Sequence, residues 1–111
     1  MTVKEIVKKL DLKVLAGNDF LEREVTGAYC SDLLSDVMGN ALEGNLWITL
    51  QVHKNIIAVA TLKELAGIIL VKGLKPEAET LELSEIERIP VLSTSDSAFS
   101  VAGKLYQFIE K

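Results

Sequence analysis

The sequence predicts an α/β fold: a single domain, three layers deep, with a mainly parallel central sheet flanked by helices. Three observations carry this expectation. Apolar runs at Leu46–Leu50, Gly67–Val71 and Ile89–Leu92 have the length and uniformity of strands buried on both faces. A small polar cluster closes each run: Gln51-Val52-His53, Lys72-Gly73 and Ser93-Thr94-Ser95-Asp96. A helix-like stretch follows each cluster, and such alternation is the pattern of parallel strands joined by right-handed crossovers.

The elements follow in order. Thr2 and Glu5 form a capping box ahead of an amphipathic helix over residues 3–10, with Val3, Ile6, Val7 and Leu10 on the inner face. Lys13–Leu15 reads as a short strand and Gly17-Asn18-Asp19 as a turn, so residues 1–24 form a helix and short strand packing on the rest. Glu24–Cys30 is the next strand. Ser31 and Asp32 supply the start of a helix over 32–38 that stops at Gly39-Asn40.

Asn45–Leu50 is the first buried run, and Trp47 within it is assigned to the core. From Asn55 to Leu65 apolar residues occupy nearly every helical face, which predicts burial against the sheet and against a second subunit. Pro76 precedes a helix over 77–87 with Ala78, Leu81 and Ile86 inward. The last helix, 96–110, starts at Ser95-Asp96 and turns Phe99, Ala102, Leu105, Tyr106 and Ile109 inward.

Composition narrows the function classes. The 111 residues suffice for one domain, and 49% apolar with 25% charged is ordinary for a soluble globular chain. No run approaches the roughly 18 apolar residues of a membrane span, and Met1–Glu5 lacks a signal-peptide core. A cytoplasmic protein is expected. Sixteen acids interspersed with twelve Lys and Arg give a net charge of −4 and no basic stripe, which disfavours nucleic acid as a partner. One Cys and one His provide neither a disulfide nor a zinc ligand set, so no metal and no cofactor are expected.

The candidate site lies in the loops after the three runs, because open parallel sheets bind ligands at the carboxyl ends of their strands. The ligand-binding candidates are Gln51, His53, Asn55, Lys72, Gly73, Ser93, Thr94, Ser95 and Asp96. His53, at a strand-to-helix junction, would hydrogen-bond a polar or anionic ligand or else cap the helix. Ser93–Asp96 offers three hydroxyls and a carboxylate at another helix start, where capping consumes some of them. Lys72-Gly73 would supply a charge and a close backbone approach, or simply turn the chain. Cys30 is expected to be buried and inert, with Asp32 opposing a thiolate. No catalytic residue is assigned.

Residues 25–111 resemble the DRTGG domain family. The matching landmarks are Gly27, Gly44-Asn45-Leu46-Trp47-Ile48-Thr49, Ala66-Gly67-Ile68-Ile69-Leu70 and Ile89-Pro90-Val91-Leu92-Ser93-Thr94. The stretch from Val25 to about Ile109 is also similar to the N-terminal domain of HPr kinase/phosphorylase and, more distantly, to the first domain of Mur ligases. Where the family has Asp-Arg this chain has Val52-His53, and where it has Thr-Gly-Gly the chain has Val71-Lys72-Gly73. No Gly-x-x-x-x-Gly-Lys-Ser/Thr is present, so the likeness does not imply kinase activity.

The resemblance implies a non-catalytic regulatory or ligand-binding module, accessory to a redox (hydrogenase-type) or metabolic enzyme and thus with a protein partner. The apolar 55–65 helix adds a homodimer. Two alternatives stand beside it. One is a small enzyme acting on a phosphorylated or nucleotide-like ligand with His53 as acid/base. The other is a structural adaptor.

Overall fold

Eleven short elements form this protein, described over residues 1–109 of a computed structural model. They are α1 (Val3–Leu10), β1 (Lys13–Ala16), a 3-10 turn (Asn18–Phe20), β2 (Gly27–Cys30), α2 (Leu34–Asn40), β3 (Asn45–Thr49), α3 (Asn55–Leu62), β4 (Gly67–Leu70), α4 (Ala78–Glu87), β5 (Val91–Ser93) and α5 (Ala98–Ile109). The expected helix end at residue 110 lies outside the described residues.

The sheet has the order β1-β5-β4-β3-β2, with β2 through β5 parallel and β1 antiparallel on the β5 edge. Alternation along the buried strands divides the core in two. Leu46, Ile48, Ile69, Val71 and Leu92 face α1 and α5. Trp47, Ile68, Leu70 and Val91 face the other way, toward α2, α3 and α4. Helices therefore cover both faces, and the fold is the three-layer α/β arrangement that the apolar runs imply.

Local chemistry explains most boundaries. Thr2 accepts the Glu5 amide while the Glu5 carboxylate accepts the Thr2 amide, and Asp11 in a left-handed conformation ends α1. Gly17 (φ +78°) abuts Pro90, whose Cα would lie 2.7 Å from any Cβ there, so both the conformation and the approach demand glycine. Trp47 is fully buried and its indole N–H donates to the Ser31 carbonyl at 2.8 Å.

Four expectations are corrected. α2 begins at Leu34, and Asp32 stays outside it: the Asp32 carboxylate instead accepts Thr49 Oγ1 at 2.8 Å and the Leu50 amide at 2.7 Å, joining the ends of β2 and β3. In α4 the buried positions are Thr80 and Ser84, while Ile86 and Ala78 are exposed and Leu81 is half-buried. Their hydroxyls donate to the carbonyls of Val52 and Ile89, so small polar residues let this helix sit close to backbone that needs donors. In α5 Val101 and Leu105 are buried, whereas Phe99 and Tyr106 face outward. Cys30 is exposed rather than buried, because β2 is an edge strand. Partial burial of its thiol, and then the Asp32 carboxylate, push its pKa up, which disfavours a thiolate.

The helix at Asn55–Leu62 is buried within the chain. Ile56, Ile57, Val59 and Ala60 pack among the strands and neighbouring helices, leaving Ala58 and Leu62 outside. Its all-round apolarity is thus largely satisfied internally.

Candidate site at the carboxyl edge of the sheet

β4 is followed by α4 on one face of the sheet and β5 by α5 on the other. The helices that follow these adjacent strands depart to opposite faces, and such a switch opens a crevice at the carboxyl ends of parallel strands. A cleft of about 330 Å³ lies there. Gly73, Leu74 and Lys75 line it from the β4 loop and Ser93, Thr94 and Ser95 from the β5 loop. The third wall is Asp11, Lys13 and Leu15, because β1 runs antiparallel beside β5 and sets Lys13 opposite Ser93.

The two loops are sewn to each other. The Lys72 amide donates to the Asp96 carbonyl and the Gly73 amide to the Thr94 carbonyl, both at 2.8 Å, with Lys72 (φ 59°) and Gly73 (φ 66°) left-handed. Those amides hold the crevice in shape and are not free to cradle an anion. Thr94 Oγ1 accepts the Asp96 amide, and Lys104 pairs with the Asp96 carboxylate at 2.8 Å, offsetting a charge that would repel an anion. Ser97 Oγ accepts the Ser100 amide where α5 begins, so the positive end of that helix dipole lies beside the same loop. Among the described residues no intramolecular hydrogen bond engages the hydroxyls of Ser93 or Ser95.

Four of the nine residues expected from sequence therefore line one cleft: Gly73, Ser93, Thr94 and Ser95. Lys72 and Asp96 form its hydrogen-bonded frame. Gln51 and His53 belong to the β3–α3 loop, and Asn55 is the first residue of α3. The Gln51 side-chain amide donates to the Asp32 carbonyl, and His53 Nδ1 accepts the Asn55 amide at 3.1 Å, which caps α3. Asn55 also lines a separate groove between α3 and α4, beside the Lys54–Glu79 ion pair.

Sequence reasoning missed Lys13 and Lys75 as lining residues. Lys75 stands two residues beyond Gly73, a proximity that could have flagged it. Lys13 carried no signal, because the pairing of β1 with β5 links positions far apart in the chain.

A larger cavity, about 670 Å³, lies at the opposite edge, before the strands begin. Glu24, Glu43, Glu64 and Glu87 line it, and Arg23, its cation, donates to the Leu65 carbonyl. That acidic surround opposes anions, and the carboxyl edge remains the better candidate despite its smaller volume. Among the described residues no group of three His, Cys, Asp or Glu is placed to hold a metal ion. No described helix is long and apolar enough to cross a membrane.

A family model described as the DRTGG domain matches residues 5–108. The chain belongs to the DRTGG domain family. No curated protein matches the sequence. Among solved structures, this DRTGG chain is similar to the CBS and DRTGG domains of the regulatory region of Clostridium perfringens pyrophosphatase, crystallised with its activator diadenosine tetraphosphate. The TM-score is 0.71 at 16% identity, over 97% of this chain and 47% of that one. At that identity the likeness shows the fold alone, and the DRTGG chain here spans about half the length of its structural neighbour.

Proposed function

We propose that this DRTGG chain is a cytoplasmic regulatory module that binds a small phosphate-bearing ligand in the cleft lined by the β4 and β5 loops and by β1. One observation carries this reading: Lys13 and Lys75 converge with Ser93–Ser95 on a crevice where the helices depart to opposite faces of the sheet. Lysine ammonium groups and hydroxyls are the donors that recognise phosphate. The similar pyrophosphatase region, crystallised with a nucleotide activator, supports a nucleotide-like ligand. Catalysis is not part of the reading: His53, the acid/base candidate, is not among the residues that line this cleft, and its Nδ1 accepts the Asn55 amide.

The module acts as a homodimer and passes the state of its ligand site to a partner enzyme, of a redox (hydrogenase-type) or metabolic system. Calorimetric titration with pyrophosphate, ATP and diadenosine tetraphosphate tests the binding claim. The paired substitution Lys13→Ala/Lys75→Ala should weaken the best of these probes at least about tenfold, and raising salt should weaken it further. Unchanged affinity in the variant would place the ligand elsewhere, and turnover of any probe would favour an enzyme.

A further inference from the structure

The two edges of the sheet differ in how they are guarded. β1 carries Lys13, and its pairing with β5 slips between Val14 and Ala16. A charge and a local irregularity are means by which soluble proteins keep an edge strand from recruiting another. β2 closes the other edge with Gly27-Ala28-Tyr29-Cys30, in regular register with β3. It has no charge, no proline and no slip.

The surface beside that edge is apolar. α5 rests over β2 and β3 with Val101 and Leu105 turned into the core. Its flank presents Ala102 and Tyr106, which line a cleft of about 150 Å³ together with Ala28 and Cys30 of β2. Phe99, two helical turns before Tyr106 on the same flank, is 90% exposed, and Tyr106 is 61% exposed. Gly103 stands between them, where a Cβ would meet no neighbour.

We propose that β2 pairs with β2 of a second copy of this chain, antiparallel across a twofold axis. The two sheets then continue as one, and the two α5 helices pack against each other above the seam. This supplies the surface for the homodimer of the proposed function and rests on that part of the reading.

Geometry supports the pairing. With strands about 4.8 Å apart, a helix seated over β2 and β3 lies about 5 Å from the twofold axis. The two α5 axes then stand about 10 Å apart, the upper end of ordinary helix packing, and Gly103 leaves room for closer approach. Area supports it as well. At their exposures, Phe99 and Tyr106 offer on the order of 300 Å² per copy toward the roughly 800 Å² of a standard dimer. Ala28, Ala102 and the paired backbone edges add to that. Charge favours a second copy at this place: two chains of net −4 repel, and none of the described residues that line this cleft carries an ionised side chain.

Sedimentation velocity of the full chain and of Phe99→Glu/Tyr106→Glu, at micromolar concentration, tests the surface. Both side chains are outside the core, and circular dichroism checks that the variant keeps its fold. The proposal expects a dimer that becomes monomeric in the variant. It also expects a short bismaleimide to link the parent dimer through Cys30, the chain's one cysteine, and not the variant. A dimer that survives the substitutions and resists cross-linking would overturn this surface and leave the homodimer standing on another. A parent chain that sediments only as monomer would overturn both, without touching the anion crevice.

Discussion

The Gly73 amide donates to the Thr94 carbonyl at 2.8 Å, and this bond, with its neighbour from Lys72 to Asp96, fixes the distance between the β4 and β5 loops. Gly73 reaches that geometry at φ 66°, and open space surrounds the position a Cβ would take. Gly73→Ala should therefore cost only the left-handed backbone strain, about 1 kcal/mol, with the fold retained. Urea unfolding measures that loss. An unchanged midpoint would show the loop relaxing into another conformation.

Asp32 joins two strands by accepting from both Thr49 Oγ1 and the Leu50 amide. Asp32→Ala removes a charged acceptor from two donors and should destabilise by about 1.5–3 kcal/mol. Asp32→Asn keeps an acceptor oxygen and should lose less. Buried Trp47 is a convenient fluorescence probe, since its indole bonds Ser31 next to Asp32.

The Ser31 hydroxyl, then Tyr29 and Asn40, hold the Asp36 carboxyl below its ordinary value of 3.8. A depressed carboxylate stabilises the fold above the unfolded-state pKa and loses that contribution as pH falls through the folded one. The parent should thus exceed Asp36→Asn in stability near neutrality, and the gap should close as pH falls through the carboxylate range. Urea midpoints across that range check it. A gap that widened in acid would contradict the assignment.

Ser84 is fully buried with its hydroxyl on the Ile89 carbonyl. Ser84→Ala leaves that carbonyl without its donor, at a cost of about 1–3 kcal/mol. A denaturation series should show this loss although the residue removed is polar and the replacement a better helix former.

These positions mark what the sequence could convey. Strands β3, β4 and β5 were legible because strands covered on both faces become uniformly apolar, and Thr2/Glu5 announced α1 through local bonding alone. The inward faces of α4 and α5 were only partly legible: Leu81 and Leu105 do pack inward, while Ile86, Phe99 and Tyr106 do not. In α5 two apolar stripes share the helical period, Val101 with Leu105 and Phe99 with Tyr106, and only the sheet beneath decides which is buried. In α4 carbonyls from distant segments selected Thr80 and Ser84, and hydropathy cannot register such a demand. At the site, Gly73 and Ser93–Ser95 followed from their place after apolar runs. Lys13 depended on a strand pairing across most of the chain, and His53 on whether its ring would turn to cap α3.

The most direct measurement of the central claim is an amide NMR titration of the full chain with ATP. The account predicts shifts concentrated at Gly73, Leu74, Lys75 and Ser93–Ser95, with Lys13 responding from the antiparallel edge, and their loss in Lys13→Ala/Lys75→Ala. Shifts confined to His53 and Asn55, or to the glutamate-lined cavity at the opposite edge, would contradict it.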